Sequence, residues 1–262
     1  MNYFSVIIPT LNEEDDLPFL LSDLSAQKNI NFETIIVDAN SKDKTEEKAM
    51  VYKKKLILNF IKVRKANLSY QRNYGAQVAT GRYLVFLDAD SRIGPDFIHT
   101  VHTAIEQKKG LAFLTNVVPD SRDIINRFLY KIGNLVIKYS QVFSIPFSSV
   151  GSFIIDRNLF LLIGGYDTTL FISEDHDIVK KINRFGVRAK FLNTATVIYN
   201  LRRERKEGWL KTMVKLIYGL IYLLIKKEIK HKIFQYDKGG APYKKFKPQK
   251  LRESENGLRI GH

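Results

Sequence analysis

The chain has 262 residues, which is enough for one large domain or for one domain with an appendage. Its hydrophobic content of 45% and charged content of 26% are typical of a chain with a packed globular core. The sequence has no cysteine, which excludes disulfides, zinc–thiolate sites and a thiol nucleophile.

The net charge of +15 is concentrated near the carboxyl end. Residues 202–262 contain 17 Lys and Arg against 6 Asp and Glu, whereas residues 1–201 are close to balanced. A basic tail favours an anionic partner such as a membrane surface, a nucleic acid or a polyphosphate, and solubility alone is an equal explanation. No nucleic-acid-binding motif accompanies the charge, so we expect no nucleic acid partner.

Neither a signal peptide nor a membrane span is predicted. The opening apolar run is strand-sized and lacks a preceding basic segment. The longest apolar run, residues 216–225, is far shorter than the roughly 20 residues that a bilayer requires. We therefore expect a cytoplasmic location, with peripheral contact at the inner face of the cell membrane as a further interpretation.

The first 90 residues alternate between apolar, β-branched runs and segments of helical periodicity. Alternation of this kind predicts an α/β fold with a doubly wound, mostly parallel, Rossmann-like sheet. The predicted helix at 12–27 has Asn12 as its cap candidate, and the helix at 41–55 starts with Ser or Asp. The predicted strands are 4–9, 32–40, 56–63 and 83–90, and the predicted helices are 12–27, 41–55 and 68–79.

The second half is less regular. Residues 150–167 predict a strand, a short helix and a break at Gly164–Gly165, which we interpret as a backbone turn and not as a phosphate cradle. The helix at 173–186 has Ser173 as its cap candidate. The other predicted elements are helices at 95–107 and 122–143 and strands at 110–119 and 188–200.

Polar residues follow the strands at their carboxyl ends, where ligands of doubly wound sheets bind. Thr10 and Asp38 end the first two strands, and Asp88 and Asp90 end the fourth in "YLVFLDADSRIG". Two carboxylates separated by one residue suit Mg²⁺ or Mn²⁺, which would supply the positive charge that lets two acids converge. The alternative is an acidic pair in a solvated turn.

Four motifs in sequence order resemble the family 2 inverting glycosyltransferases of the GT-A fold, over about residues 4–205. "FSVIIPTLNEEDDL" is similar to the opening strand and turn of that family, and "IIVDANSKDKT" to its uridine-binding strand. "QRNYGAQVATGRYLVFLDAD" resembles its Arg-Asn-x-Gly helix leading into Asp-x-Asp. "GGYDTTLFISEDHDIVKKINRFG" resembles the stretch that carries its catalytic base.

The resemblance implies a nucleotide site, a metal site and a catalytic base. The nucleotide site would consist of Pro9, Thr10, Asn12, Glu13, Asp38, Arg72, Asp88 and Arg203. The first four of these would shape the wall around the nucleoside, Asp38 would bind the base or ribose, and Arg72 would contact the nucleotide or diphosphate. Asp88 would face the ribose or sugar and share a Mg²⁺ or Mn²⁺ ion with Asp90. Asp175, with Glu174 beside it, would be the general base that deprotonates the acceptor hydroxyl.

Each of these residues also has a simpler interpretation. Arg72 could be a surface cation, and Glu174 and Asp175 could be acids favoured at a helix start by the helix dipole. His176 could be only a neighbour of the base. The family often has a second acid where this chain has Ala39, which leaves the nucleotide base open.

The resemblance implies transfer of a single sugar from a nucleotide-diphospho-sugar to an acceptor hydroxyl or phosphate. The Gln-x-x-Arg-Trp signature of processive synthases is absent from the sequence. Basic residues in "RRERKEG" (202–208), which contains Arg203, stand where related enzymes close a loop over the diphosphate. The alternatives are a nucleotidyltransferase or a non-enzymatic sugar-nucleotide-binding module on the same fold.

We expect a glycosyltransferase domain at 1–205, divided into a nucleotide-binding half (1–90) and an acceptor half (91–205). Residues 206–237 predict a basic amphipathic helix, which would lie in a membrane interface or pack on the core or on a partner subunit of a homodimer. Residues 238–262 predict a flexible basic tail. If the helix meets a membrane, the acceptor would be lipid-linked, such as a polyprenyl phosphate or a glycolipid.

Overall fold

The computed structural model describes residues 2–28, 31–142, 147–148, 152–170 and 173–201. Arg203, the amphipathic segment 206–237 and the tail 238–262 lie outside the described residues. No helix of the described part is both long enough and apolar enough to cross a bilayer.

The described strands form an eight-stranded sheet with the order β3-β2-β1-β4-β7-β6-β8-β5. The strands are β1 Phe4–Thr10, β2 Phe32–Asp38, β3 Leu58–Lys62, β4 Tyr83–Leu87, β5 Arg92–Ile93, β6 Ala112–Pro119, β7 Ser152–Asp156 and β8 Lys190–Tyr199. The helices are α1 Leu17–Ser25, α2 Thr45–Met50, α3 Leu68–Val78, α4 Phe97–Lys108, α5 Ile124–Ser140, α6 Arg157–Leu162 and α7 Glu174–Arg184.

Strand β1 is the centre of the parallel half of the sheet. It pairs in parallel with β2 on one side and with β4 on the other, and β2 pairs in parallel with β3. All seven residues of β1 are buried, as expected for a strand covered on both faces. The predicted doubly wound, mostly parallel sheet is therefore confirmed.

Helices cover both faces of the sheet and give it two apolar cores. The side chains of Phe4, Val6 and Ile8 pack with α1, α2 and α4, whereas Ile7 points to the opposite face, which α3, α5, α6 and α7 cover. The two-residue period of β1 thus divides its apolar side chains between the two cores.

The second half of the sheet departs from the parallel pattern. Strand β7 lies antiparallel between β4 and β6, and β6 pairs in parallel with β8. The short strand β5, which sequence analysis did not predict, pairs antiparallel with β8. Two-residue strands lack a periodicity that a sequence pattern could reveal.

Two helices begin later than predicted, because polar groups before them bond to each other across two loops. Asn12 is not the cap of α1; it has a positive φ of 53°, and its backbone N–H donates to Ser41 Oγ. The helix predicted at 41–55 begins at Thr45 and ends in a 3₁₀ turn at Val51–Lys54.

Ser173 occupies the predicted cap position of α7, but it does not cap the helix through its side chain. That side chain makes no capping hydrogen bond, and the φ of the residue is 76°. Its backbone carbonyl instead accepts from the N–H groups of His176 and Asp177. The turn at Gly164–Gly165 has positive φ at both residues, which agrees with its prediction as a backbone turn.

Gly81 allows β4 to start directly beside β1. A Cβ atom on Gly81 would lie 2.5 Å from the carbonyl carbon of Phe4. Because backbone atoms of a paired strand cannot retreat, we expect Gly81→Ala to lower the free energy of unfolding by about 2 kcal/mol in urea denaturation. Gly133→Ala is the control, since its Cβ meets nothing within 4 Å and alanine favours a helix interior by up to about 1 kcal/mol. Equal stability of the two variants would contradict this account.

Candidate active site

Asp38, at the end of β2, lies in a cradle of hydrogen-bond donors. The hydroxyl of Thr10, opposite it in the β1–β2 register, donates to Asp38 Oδ1 at 2.9 Å. The backbone N–H of Ser41 donates to Oδ2 at 2.8 Å, and the Ser41 hydroxyl also donates to Asp38. Asp38 is 1% exposed, so these bonds hold its carboxylate in one orientation.

The loop after β1 is tied to the loop after β2. Asn12 Oδ1 accepts from the backbone N–H of Lys42 at 2.7 Å, and the backbone N–H of Glu13 donates to Thr45 Oγ1 at 2.9 Å. Pro9 is buried in β1 and Glu13 is 6% exposed. The residues predicted to line the nucleoside site therefore lie next to Asp38, where hydrogen bonds join the two loops.

Helix α3 fastens to the ends of these strands through Gln71. Gln71 Nε2 donates to the carbonyl oxygens of Thr10 at 2.9 Å and Val37 at 2.7 Å. Asn67 caps the helix by accepting from the backbone N–H of Tyr70. Because Gln71 fixes the position of α3, the next residue, Arg72, lies at the same edge of the sheet.

Arg72 is a buried cation surrounded by carboxylates from distant parts of the chain. Its Nη2 is 2.9 Å from Asp88 Oδ1, and its Nη1 is 2.9 Å from Asp175 Oδ1 and 3.9 Å from Glu174 Oε1. Arg72 is only 3% exposed, so the interpretation as a surface cation is wrong. Glu174 and Asp175 do lie in the first turn of α7, and that position also brings them to Arg72.

Tyr166 provides an aromatic wall behind the guanidinium. The Arg72 guanidinium carbon lies 5.2 Å from the centre of the Tyr166 ring, a cation–π distance. Asn73 fixes this tyrosine, because Asn73 Nδ2 donates to the Tyr166 carbonyl at 2.8 Å and Asn73 Oδ1 accepts from the Tyr166 N–H at 2.9 Å. A Cβ on Gly165 would lie 2.6 Å from Asn73 Oδ1, so the glycine makes this contact possible.

The electrostatics of the cluster favour a proton acceptor at Asp175. Burial raises the pKa of Asp175 to about 7; the Arg72 guanidinium opposes the rise, and Glu174 and Asp88 add to it. Burial acts to lower the pKa of Arg72, but the surrounding acids, with Asp175 first, hold it well above its usual value. Arg72 therefore stays charged while Asp175 can exchange a proton near neutral pH.

His176 follows Asp175 in α7 and is buried. It is 7% exposed, and its ring centre lies 5.3 Å from that of Phe147. Burial, with the charge of Lys180 adding to the effect, lowers the pKa of His176 to about 4. The imidazole is consequently neutral at pH 7 and packs as a ring, as expected for a neighbour of the base.

The two acids after β4 differ in their surroundings. Asp88 Oδ1 is occupied by Arg72, so a protein cation provides the counter-charge that sequence analysis assigned to a metal. Within the described residues, no three His, Cys, Asp or Glu side chains form a group that could hold a metal ion. Two half-buried carboxylates, Asp88 and Asp90, fit a Mg²⁺ or Mn²⁺ ion only if water and a ligand supply the remaining oxygens.

The structure thus brings together two sets of predicted residues. Thr10 and Asp38 form one set, and Arg72, Asp88, Glu174 and Asp175 form the other; Gln71 joins them through α3. Sequence analysis assigned no role to four supporting residues, although all four lie inside the quoted motifs. These residues are Ser41, Gln71, Asn73 and Tyr166.

The mostly parallel sheet, covered by helices on both faces, has the architecture that the family resemblance implies. The model of glycosyl transferase family 2 matches residues 5–166, which is more than half of the chain. The chain belongs to this family, so the predicted family resemblance is confirmed.

Curated relatives agree with this assignment. An uncharacterized glycosyltransferase of Haemophilus influenzae is 29% identical over 189 residues, covering 68% of this chain and 61% of the relative. The dolichol-phosphate mannosyltransferase of Pyrococcus furiosus is 30% identical over 143 residues, covering 51% of this chain and 41% of that protein. The chain therefore spans less than two thirds of the length of either relative.

Solved structures share the fold. The mannosyltransferase PcManGT from Pyrobaculum calidifontis, in complex with GDP-Man and Mn²⁺, has a TM-score of 0.64 and 21% identity, and the match covers 82% of this chain and 64% of that one. TarS 1–349 from S. aureus in complex with UDP has a TM-score of 0.63 and 20% identity, covering 76% and 60%. These likenesses confirm the GT-A architecture.

Arg72→Met removes the cation from the cluster, and we expect it to lower the free energy of unfolding by about 3 kcal/mol at pH 8. The pKa of Asp175 is already above the unfolded value of 3.8 and rises further without Arg72. A carboxyl whose pKa is higher in the folded state than in the unfolded state stabilises the fold when it is protonated. This stabilisation is lost as the pH rises from about 4 towards the pKa of the folded state. The loss should therefore be smaller at pH 5 than at pH 8, as measured by urea unfolding.

Arg72→Lys is the matched control, because it keeps the charge but loses the forked geometry. It should cost less stability than Arg72→Met and show a weaker pH dependence. A pH-independent loss in Arg72→Met would show that packing, and not charge, explains the effect.

Proposed function

We propose that the chain is an inverting, metal-dependent glycosyltransferase that moves a single sugar from a nucleotide-diphospho-sugar to an acceptor hydroxyl or phosphate. The observation that carries the proposal is the convergence of Asp88 and Asp175 on the buried Arg72, at the strand edge where Gln71 also reaches Thr10. Membership of glycosyl transferase family 2 supports the same reaction.

Asp175 is proposed as the general base. Its carboxylate takes the proton of the acceptor's alcohol or P–OH group, that acceptor oxygen bonds to the anomeric carbon, and the electron pair of the broken bond leaves with the diphosphate oxygen. This single displacement inverts the anomeric carbon. A pKa of about 7 suits a base that must accept a proton near neutral pH.

Arg72 is proposed as a positioning residue for this base. Both Nη atoms are held by carboxylates, which fixes Asp175 and Asp88 relative to one another. Its Nε is buried and has no hydrogen-bond partner among the described residues. Direct contact between Arg72 and the donor diphosphate, as the sequence suggested, stays a prediction.

The donor site is proposed along the edge from Pro9 to Glu13, with Asp38 binding the base or ribose. Its donors, Thr10 and Ser41, orient the Asp38 carboxylate towards a ligand hydroxyl or ring N–H. The solved relatives hold UDP in TarS and GDP-Man in PcManGT, which supports a nucleotide-sugar donor without naming the base. Arg203 would add a cation over the diphosphate.

Asp90 and Asp88 would hold a Mg²⁺ or Mn²⁺ ion, which supplies positive charge to the diphosphate leaving group when bound. The Mn²⁺ in PcManGT supports this proposal. Because two carboxylates are a minority of the ligands such an ion takes, we expect affinity for the metal to depend on the nucleotide.

The acceptor is proposed to be lipid-linked, such as a polyprenyl phosphate or glycolipid. The relative from Pyrococcus furiosus is named a dolichol-phosphate mannosyltransferase, which supports this choice. Residues 1–205 are proposed as the catalytic unit, and residues 206–237 and 238–262 as appendages to it. The expected location is the inner face of the cell membrane. A homodimer stays a prediction.

Asp175→Asn should reduce sugar transfer by about a thousandfold, because an amide cannot accept the acceptor proton. The donor is first identified by a thermal-shift screen of UDP- and GDP-sugars with Mn²⁺, and transfer is then followed as release of nucleoside diphosphate. The matched control is Asp177→Asn, on the same helix, whose carboxylate pairs with Lys181 at 3.3 Å and which should retain activity. Full activity in Asp175→Asn would refute the base assignment, and donor binding without any transfer would favour the binding-module alternative.

Calorimetry should show that Mn²⁺ binds much more tightly with UDP or GDP present than alone. Asp90→Asn should weaken this nucleotide-dependent binding by about tenfold or more. Asp96→Asn is the control, since Asp96 lies on the surface beside Lys28. Equal binding of Mn²⁺ to the Asp90→Asn and control proteins would rule out Asp90 as a metal ligand.

A further inference from the structure

Helix α5 carries an apolar stripe that is exposed along its whole length. Seven of its apolar side chains are between 42% and 81% exposed, and Val142 extends the stripe beyond the helix end with 63% exposure. Continuous apolar surface of this kind marks an interaction site in a folded protein. The seven side chains are Ile124, Ile125, Phe128, Ile132, Leu135, Val136 and Tyr139.

The orientation of α5 is fixed by its opposite face. Asn134 is buried; its Oδ1 accepts from the Val117 N–H at 3.0 Å and its Nδ2 donates to the Val117 carbonyl at 2.7 Å. Ile137 packs in the core beneath the sheet. The helix cannot rotate to bury the stripe without breaking both bonds to β6.

Cations line one margin of the stripe. At 100° per residue the apolar side chains cover an arc of about 120°, and Arg127, Lys131 and Lys138 lie together just beyond one border. Residues 124–142 contain no acidic side chain. An apolar face with cations along its border is the pattern of a helix that lies in the headgroup region of an anionic bilayer.

Residues of α5 outside the stripe connect the helix to the candidate active site and to the end of β8. At the carboxyl end of α5, Gln141 Nε2 donates to the Phe147 carbonyl, and the Phe147 ring lies against His176, the neighbour of Asp175. Near the other end, the Tyr130 ring lies 6.3 Å from that of Tyr199, which ends β8. The chain therefore leaves β8 beside α5 and continues into the basic residues 202–262.

We propose that the exposed stripe of α5 docks onto an anionic lipid surface. Lipid is favoured over residues 208–227 of the same chain, because these residues include Lys211, Lys215 and Lys226 but no acidic side chain, so their charges would repel the cations of α5 and not neutralise them. The same repulsion opposes pairing of two α5 helices across a dimer. Anionic headgroups would neutralise the cations of α5, and the net positive charge of residues 202–262 favours the same partner.

This docking is independent of the proposed sugar transfer, since it is measured without donor or acceptor. If both hold, the lipid surface meets the end of α5 that packs on Phe147, close to the proposed base. A lipid-borne acceptor would then reach the site by diffusion in the plane of the membrane.

The test is co-sedimentation of the full chain with vesicles of phosphatidylcholine alone or mixed with phosphatidylglycerol. The unaltered chain should bind the anionic vesicles at least about tenfold more tightly, with the preference falling as salt is added. Phe128→Ser/Ile132→Ser should weaken binding to anionic vesicles by about tenfold. Val51→Ser/Leu162→Ser, at positions 73% and 68% exposed on other elements, is the matched control and should bind normally.

A second variant, Arg127→Glu/Lys131→Glu, keeps the apolar stripe and should lose the preference for anionic lipid. Retained vesicle binding in both α5 variants would overturn the proposal. Loss of binding in Leu216→Ser/Leu220→Ser alone would assign the contact to residues 208–227 instead. Gel filtration that converts a dimer to a monomer in the Phe128→Ser/Ile132→Ser variant, with vesicle binding unchanged, would identify the stripe as a surface between copies of the chain.

Discussion

The ion-pair cluster around Arg72 is the interaction on which the candidate active site depends. A guanidinium that is 3% exposed requires anionic partners, because an unpaired buried charge costs several kcal/mol. Those partners, Asp88 and Asp175, come from the end of β4 and the start of α7. The cluster therefore joins the parallel half of the sheet to the second half, and it places a carboxyl of raised pKa at their junction.

Polar side chains that touch backbone atoms give this cluster its geometry. Gln71 ties α3 to the ends of β1 and β2, and Asn73 ties the next turn of the helix to Tyr166. Each bond is buried or half-buried, so the loss of one partner would leave the other unsatisfied. One helix thus aligns the ends of β1 and β2, the cation and its aromatic wall, which explains why the motif residues of α3 are adjacent in sequence.

The surface and the site suggest a single functional arrangement. The chain belongs to glycosyl transferase family 2, and the proposed acceptor is borne on a lipid. The helix that carries the exposed stripe is bonded at its carboxyl end, through Gln141, to Phe147, which packs on His176 next to the proposed base. Docking of α5 on a lipid surface would orient the candidate active site towards a lipid-borne substrate. The contacts that connect α5 to the site would then serve both membrane binding and catalysis.

The sequence by itself determined the parallel half of the fold and the identity of the charged site residues. Apolar runs that end in Thr10, Asp38 and Asp88 specify buried strands with a polar edge, since periodicity and strand ends are local properties. Only the tertiary structure decided which charges meet. Arg72 and Asp175 are 103 residues apart, and their contact depends on how α3 and α7 pack on one face of the sheet. Sequence analysis named a metal as the counter-charge of Asp88 and Asp90 and did not predict that Arg72 also pairs with Asp88, because spacing along a chain does not reveal long-range neighbours.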